Sequence, residues 1–448
     1  MKKILTVLIL FLSLSIRVEA EDNAVKQLDF KESILVALEN NNEIRAMKDS
    51  LNATEQDIGI ARSNFMPKIG VGEDFTTTNN PAQVFALKLN QRRLTGADFA
   101  GAPNSFNKPG NLTNFMTYGM VQMSVFNKQY FEELKIAKTQ YSANAYVYLR
   151  KQEELVKNVA IAYLAIGTTE EYIKVAESGL KDAQEHLRVA TIRNKSGLGL
   201  YSDVLRAKTE VTEAEQRLVS AQKNYKVAKR MLALLIGSKD DVEISNNSPD
   251  LALQDEDYYK QSAQERNDLK AMEKQVENAK NNTKLAQADW FPSLNLNASY
   301  NLYNQSYPFG ADGQNYTASG LLSWNVFDGK RGYETRKAKD KVKEAQEYLE
   351  GLKKTVDFKV FEAFLGVEEA NKNFELSQDA LKSAEEGGRL VLKRWQSGLA
   401  NFVDVTDAQA NLDRARANFI KSQNDLKTQL LTLYYESGVI KKELNLEE

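Results

Sequence analysis

Hydrophobic residues recur every seven positions along several long stretches of the chain. Between residues 201 and 236 the repeat places Val204, Val211, Leu218 and Tyr225 one heptad apart, and an alanine stands three positions after each of them. A large residue every seven positions with a small one between gives a narrow seam along which helices pack closely. The pattern predicts coiled-coil helices rather than an ordinary globular core.

The positions of the prolines indicate where these helices lie. Proline disrupts a helix interior, so the long stretches without proline are the helix candidates. Two of them would each extend ~100 Å as a continuous helix, at 1.5 Å per residue. The predicted helices lie at about 29–65, 127–196, 201–236, 257–290, 329–397 and 401–436.

Strict alternation of apolar and polar residues predicts strands between the helices. A strand is predicted at 293–304, where residues 294–302 alternate apolar residues with asparagine and serine, a pattern typical of a strand with two chemically different faces. Its predicted partner is 316–327, and weaker alternation marks 68–78 and 115–126. Aromatic residues cluster near the ends of the second pair, as in the girdles of membrane barrels. Two soluble hairpins are the alternative interpretation.

The sequence also repeats itself. Residues 42–46 (NEIRA) return 225 positions later as 267–271 (NDLKA), whereas the later motif Ser-Gly-Leu at 196–198 returns after 201 positions. An insertion of 24 residues in the first half accounts for the difference. The duplication predicts two structural repeats. The predicted division is a first repeat at 21–236, a linker at 237–256, a second repeat at 257–436 and a C-terminal segment at 437–448.

The first twenty residues have the features of a cleavable export signal. Lys2 and Lys3 precede an apolar run, and residues 18–20 (VEA) give the small-x-small spacing of a cleavage site. A retained membrane anchor is the alternative, but the run is far shorter than the ~20 residues of a spanning helix. Cleavage after Ala20 leaves 56 basic and 60 acidic residues, so we expect no nucleic-acid partner.

Composition argues against catalysis. The chain has no cysteine and a single histidine, which leaves few groups that titrate or bind metals near neutral pH. We therefore expect no enzyme activity, no cofactor and no metal site. His186 is expected to be exposed on a long helix, and carboxylate pairs such as Glu153-Glu154 are expected to be solvated.

The predicted strands are too few to close a membrane barrel within one chain. An open sheet edge is not tolerated in lipid. A barrel would therefore be shared among subunits, and three chains would supply twelve strands.

This order of elements resembles the TolC family of outer-membrane efflux and secretion channels over nearly the whole mature chain. Residues 28–41 (LDFKESILVALENN) look like the family's N-terminal signature, and 264–271 (QERNDLKA) look like its counterpart in the second half. Asn42 and Asn267 stand where the family often has proline. That departure affects a helix start and not the fold, since asparagine also suits a helix start.

The resemblance implies a mostly helical homotrimer, in which a periplasmic α-helical barrel continues into a shared twelve-stranded β-barrel in the outer membrane. It implies a passive exit duct for small molecules in a tripartite efflux system, working with a periplasmic adaptor protein and an inner-membrane transporter. The loops at 79–111 and 304–315 would be extracellular. The alternatives are the exit duct of a type I protein secretion system and a periplasmic structural coiled-coil protein.

Asp404 and Asp407 are the first candidate site residues, because a spacing of three places both carboxylates on one helix face. In the family this position lies at the periplasmic entrance, so a trimer would gather six carboxylates into a cation-selective pore gate. The alternative is a helix start that favours acidic residues and is capped by Asn401. Asp203 is the first-half equivalent of Asp404, and Trp395 occupies a position that is aromatic in other members.

The resemblance also implies that two turns are tips that dock the adaptor. Each has a glycine suited to a left-handed helix end and a leucine as an exposed apolar contact. Plain helix ends are the alternative and are compatible with docking. The turn residues are Ser196, Gly197, Leu198, Ser397, Gly398 and Leu399. The basic partner of the gate is left open among Arg193, Arg206 and Arg394.

Overall fold

The computed structural model describes residues 27–101, 103–245 and 249–446, so the predicted export signal lies outside the described residues. The described chain is dominated by helices. They are α1 Phe30–Asn40, α2 Asn42–Ser63, α3 Pro81–Asn90, α4 Gly96–Ala100, α5 Asn104–Asn107, α6 Lys128–Lys195, α7 Tyr201–Leu235, α8 Glu256–Ala263, α9 Asn267–Ala288, α10 Lys330–Gln396, α11 Phe402–Glu436 and α12 Ile440–Glu443. The strands are β1 Gln27–Leu28, β2 Lys68–Thr78, β3 Leu112–Phe126, β4 Glu243–Ile244, β5 Ser293–Asn304 and β6 Gly313–Ser323.

The helices of the two halves correspond in length and order. Helices α2 and α9 each have 22 residues, α7 and α11 each have 35, and α6 and α10 have 68 and 67. The chain therefore contains two tandem repeats of helix, two strands, very long helix, turn and helix.

Two predicted helices are each interrupted in the structure. The prediction of one helix at 29–65 was wrong because Asn41 has an extended backbone and its side chain accepts hydrogen bonds from the N–H groups of Glu43 and Ile44. An asparagine that caps a new helix ends the previous one. The helix predicted at 257–290 breaks at the corresponding place, before Asn267.

The four longer strands form one antiparallel sheet in the order β2, β3, β5, β6. Lys68 pairs with Gln122, Gly119 with Tyr300, and Tyr300 in turn with Tyr316. Strand β3 begins at Leu112, earlier than predicted, because it pairs with β2 to the end of that strand. Strand β6 starts at Gly313 rather than residue 316 and ends at Ser323 rather than 327, because its pairing with β5 runs from Tyr303 back to Ser293.

The predicted extracellular loop 79–111 is folded rather than irregular. It contains α3, α4 and α5, each short, and α3 packs against β3 and β6. We call residues 79–111 the cap. The other predicted loop, 304–315, is shorter than expected because β6 already begins at Gly313.

The main core lies at the middle of the long helices. Val156, Val159 and Ile166 of α6 are fully buried there against Leu232 of α7 and Leu431 of α11. Strand β1 pairs in parallel with β4, which ties the start of the described chain to the segment between the repeats. No described helix combines the length and the apolar character that crossing a bilayer requires.

Candidate functional site

Helices α6 and α7 form a first helical hairpin and α10 and α11 a second one, and both hairpins end in turns of the same construction. Gly197 follows α6 and Gly398 follows α10, with φ of 71° and 77°. The N–H of Leu198 donates to the carbonyl of Arg193, 2.9 Å away. The N–H of Leu399 makes the equivalent bond in the second turn, at 2.8 Å. This left-handed ending satisfies the last carbonyls of each helix, and glycine adopts it with the least strain.

The turns present apolar side chains to solvent. Leu198 is 73% exposed and Leu399 is 71% exposed, and Ser196 and Ser397 beside them are also exposed. The exposed leucines give each hairpin an apolar end.

A small core of its own joins the two hairpins near these turns. Trp395 of α10 is only 3% exposed and packs on Phe402 of α11, with the ring centroids 5.3 Å apart. Val405 completes the α11 side, and Ala190 and Ala207 contribute from the first hairpin. Within this protomer Trp395 therefore faces the neighbouring helices and not water.

Arg193 connects the first hairpin to the end of α10. Its Nη1 donates to the carbonyl of Trp395 at 2.8 Å, and Nη2 donates to the carbonyl of Leu198 at 3.3 Å. The guanidinium carbon lies 5.6 Å from the centroid of the Trp395 ring. A cation is favourable at the C-terminus of a helix and over an indole ring. Arg394, by contrast, contacts only its own turn through the Leu399 carbonyl among the described residues.

Asp404 and Asp407 lie in the first turns of α11 and are both exposed. Asp404 forms a capping box with Asn401: the Asp404 N–H donates to Asn401 Oδ1 at 2.9 Å, and the Asn401 N–H donates to Asp404 Oδ2 at 3.1 Å. The helix-start interpretation therefore applies to Asp404, and its exposure leaves the carboxylate open to solvent as well. Asp203 is half-buried at the start of α7, where Leu200 provides no side-chain cap.

The structure overturns the expectation that His186 is exposed. His186 is 4% exposed, and its Nδ1 lies 3.3 Å from Glu210 Oε1 on α7. Phe402 lies edge-on to its ring, with the centroids 6.5 Å apart. The inner face of α6, covered by α7 and α11, carries this histidine into the interior.

The expectation of solvated carboxylates fails for Glu153. This residue is 5% exposed, and burial raises the pKa of its carboxyl group although Arg150 Nη1 lies 2.9 Å from Oε2. Arg266 lies nearby and bonds to Asp268 at 2.7 Å and to Glu436 at 3.0 Å. We call these five residues the central ion cluster. It was missed at the sequence level because its members come from three distant segments.

Burial of Asp268 opposes its ionisation, but the hydrogen bonds and charge of Arg266 outweigh that effect and lower the pKa of Asp268. The cluster thus holds ionised groups where a long helix pair meets the start of the second repeat. Across the described ranges, this cluster included, no group of three or more histidine, aspartate or glutamate side chains is arranged to hold a metal ion.

Comparison with known proteins adds a family. The sequence profile of the family described as outer membrane efflux protein matches residues 34–238 and 258–439. The outer membrane protein TolC of Escherichia coli is 23% identical over 431 residues, covering 88% of this chain and 80% of that protein. The toluene efflux pump outer membrane protein TtgF of Pseudomonas putida is 24% identical over 417 residues, covering 89% and 81%.

Solved structures share the fold. A membrane protein from Pseudomonas aeruginosa superposes with a TM-score of 0.77 at 19% identity, covering 91% of this chain and 93% of that one. The outer membrane protein VceC of Vibrio cholerae gives 0.74 at 16% identity, covering 91% and 96%. The profile match spans both repeats and most of the chain, and this protein therefore belongs to the outer membrane efflux protein family, the family of TolC-like channels.

Proposed function

We propose that this protein is the outer-membrane channel of a tripartite efflux system, a passive exit duct for small molecules. One structural feature carries the proposal: a single chain supplies an open four-stranded sheet at one end of two hairpins whose long helices extend ~100 Å. Such a chain is one part of a tube. The relatives named for efflux favour this function over protein secretion.

The sheet supports assembly into a homotrimer. Its outer strands, β2 and β6, each pair on one side only in this protomer. Along β2 and β6 large apolar residues such as Ile69, Val71 and Leu322 are 68–85% exposed. Joining three sheets edge to edge gives twelve strands in a closed outer-membrane barrel whose apolar face meets lipid.

Helix α10 supports the same assembly in the helical part. Phe358, Phe361 and Leu365 are 60%, 46% and 45% exposed and follow one another at helical spacing on one face. A neighbouring protomer that covers this stripe would bury surface that a lone chain leaves in water. A trimer thus removes both the open sheet edges and the exposed stripe.

The tips form the proposed gate and the proposed docking site. In a trimer, Asp404 and Asp407 of three chains face the entrance and attract cations, and Asp203 adds to the negative charge. Arg193 and Trp395 position the entrance by holding the hairpins together. The exposed turns at 196–198 and 397–399 dock a periplasmic adaptor, which connects the duct to an inner-membrane transporter.

The remaining parts of the proposal follow from export. The segment 1–20 acts as a cleavable signal, the helical part lies in the periplasm, and no chemistry takes place in the duct. The repeats at 21–236 and 257–436, the linker 237–256 and the segment 437–448 keep the extents given by the sequence duplication.

Single-channel conductance in planar bilayers tests the function. The purified wild type is compared with Asp404→Asn/Asp407→Asn, which keeps the side-chain shape and removes the charge. The control, Glu55→Gln/Asp57→Asn, removes two exposed carboxylates from α2. We expect a small cation-selective current in the wild type and control, and a larger or less selective current in the gate variant.

Absence of conductance from folded, trimeric wild-type protein would contradict the channel proposal. The alternative, a periplasmic coiled-coil protein, would then be favoured, and such a protein would be extracted from cells without detergent. Conductance with unchanged selectivity in the gate variant would contradict the assignment of the aspartates alone.

A further inference from the structure

The cap is a folded unit at the far end of the sheet from the long helices. The chain enters the cap after Thr78 of β2 and leaves it at Leu112 of β3, and these two residues pair with each other. Asn80 caps α3 by accepting from the N–H of Gln83 at 3.2 Å. The cap therefore begins and ends on adjacent strands and has its own helix signals.

Buried contacts fix the cap to the sheet. Gln91 is 1% exposed, and its Nε2 donates to the carbonyl of Thr113 at 3.0 Å and to Asn114 Oδ1 at 2.9 Å. The carbonyl of Asn90 lies against Gly313 so closely that a Cβ there would collide with it. The position of the cap over β3 and β6 is thus determined by packing.

Aromatic contacts and one ion pair join the three helices of the cap to one another. Phe106 lies edge-on to Phe85 and Phe99, with centroids 5.3 and 5.4 Å apart. Lys88 Nζ donates to Asp98 Oδ1 at 2.6 Å. Hydrogen bonds from Lys88 and Thr95 lower the pKa of Asp98 to about 2, so this carboxylate stays ionised.

The outside of the cap is basic. Its four basic residues face a single acidic one, Asp98, whereas the whole chain has a net charge of −2. Lys88 is neutralised by Asp98. The other three, Arg92, Arg93 and Lys108, are exposed and make no ion pair within the described ranges.

Arg92 occupies a conformation that favours glycine. It ends α3 with φ of 55°, and the N–H of Arg93 donates to the Lys88 carbonyl at 2.8 Å. The same left-handed ending follows α6, α7, α10 and α11 with glycine, and α12 with Asn445. Glycine at position 92 would fit this backbone conformation with less strain, so the backbone alone does not explain an arginine there.

We propose that the cap binds the phosphate-bearing headgroups of the outer leaflet through Arg92, Arg93 and Lys108. Guanidinium groups bind phosphate with two parallel hydrogen bonds. Leu89 and Phe99 are 49% and 54% exposed in the same small unit, which gives the basic and apolar composition of an interfacial segment. The proposal rests on the proposed function, because the cap faces the outer leaflet only in an outer-membrane channel.

The test measures binding of purified trimer to lipid A, a phosphate-bearing glycolipid, with the dephosphorylated lipid and inorganic phosphate as further probes. The variant Arg92→Gly/Arg93→Gln/Lys108→Gln removes the charge and places the favoured residue at 92. The control Lys208→Gln/Lys223→Gln/Lys226→Gln removes three exposed charges from α7. We expect the cap variant to bind lipid A on the order of 100-fold more weakly, and the control to bind like the wild type.

Equal binding by the wild type and the cap variant would overturn the proposal, as would equal binding of the dephosphorylated lipid. Displacement of lipid A by millimolar inorganic phosphate would overturn the commitment to a lipid. Conductance of the same preparations separates the two claims. A conducting cap variant with unchanged lipid affinity contradicts only the cap proposal, whereas a wild type that binds lipid and does not conduct contradicts the channel.

Discussion

Helices α6 and α10 hold equivalent places in the two repeats, yet they meet different surroundings. Seventeen residues of α6 are buried within the protomer, against seven of α10. Helix α6 packs against α1, α2, α7, α9, α11 and α12, and α10 packs against α8, α9 and α11. The comparison indicates that α6 forms the core of the chain, whereas α10 leaves more of its surface exposed in this protomer.

The starts of the two repeats also differ, in the side chains that stabilise them. The break before α2 is stabilised by one neutral side chain, since Asn41 caps α2 and donates through Nδ2 to the Leu235 carbonyl at 2.8 Å. The break before α9 is stabilised by charges, because Arg266 joins Asp268 to Glu436. Equivalent backbone breaks are thus held by unrelated chemistry.

The largest expected effect comes from placing a charge on each long helix. Val156→Asp buries an unpaired carboxylate in the main core, so the protomer should lose several kcal/mol of stability or fail to fold. Phe358→Asp changes the exposed stripe of α10 and should leave helicity unchanged while preventing trimer formation. Circular dichroism and light scattering after size exclusion measure the two properties. A stable trimer from Phe358→Asp would contradict the role of α10.

A smaller effect is expected at the starts of the repeats. Arg266→Met leaves the half-buried Asp268 and Glu436 without their main partner and should lower the free energy of unfolding by about 3 kcal/mol. Asn41→Ala, the matched change, should lower it by about 1–2 kcal/mol. Chemical denaturation compares the two, and equal losses would show that the central ion cluster contributes no more than a helix cap.

The central ion cluster also predicts a pH dependence. The pKa of Asp268 is lower in the folded protein than its ordinary value of 3.8, so its contribution is present above pH 3.8 and is lost as the pH falls through the lowered value. Asp268→Asn should flatten this acid side of the stability profile. Unfolding midpoints measured between pH 2 and 6 would contradict the assignment if both proteins gave parallel curves.

The smallest effect is expected at the tips. Arg193→Ala removes the hydrogen bond of a charged group to the Trp395 carbonyl at the end of α10, in a solvent-accessible tip, where it is worth about 1.5 kcal/mol. The open probability in planar bilayers should rise by roughly one to two orders of magnitude. Arg394→Ala is the matched control, because Arg394 contacts its own turn. Equal behaviour of the two variants would remove Arg193 from the gate.

Local signals placed the long helices well. The predicted ranges 127–196 and 329–397 differ by one residue at each end from α6 and α10. Asn127, Gly197 and Gly398 are helix-end signals that depend only on their immediate neighbours in the sequence. The predicted range 29–65 lacks the break at Asn41 because the apolar pattern continues across it, although the family resemblance implies a helix start at Asn42. The helices of the cap were missed because pieces of four to ten residues are too short to show a period.

The candidate site was predictable in part for the same reason. The turns with Gly197 and Gly398 are local features, and so is the capping box of Asp404. The reach of Arg193 to Trp395 depends on the register between α6 and α10, which long-range packing sets. The burial of His186 and Glu153 likewise depends on which helices cover α6, and one sequence does not contain that information.

Both ends of the described chain lie against the middle part of α6. Near the first described residues, the Tyr163 hydroxyl lies 3.5 Å from the Leu28 carbonyl. Near the last ones, Lys441 Nζ donates to Gln152 Oε1 at 2.9 Å. These two positions of α6 are ~16 Å apart along the helix axis. The segment joining the repeats returns to the same region through β4. Because both repeats begin and end in the core at the middle of the long helices, a short segment is enough to join the first repeat to the second.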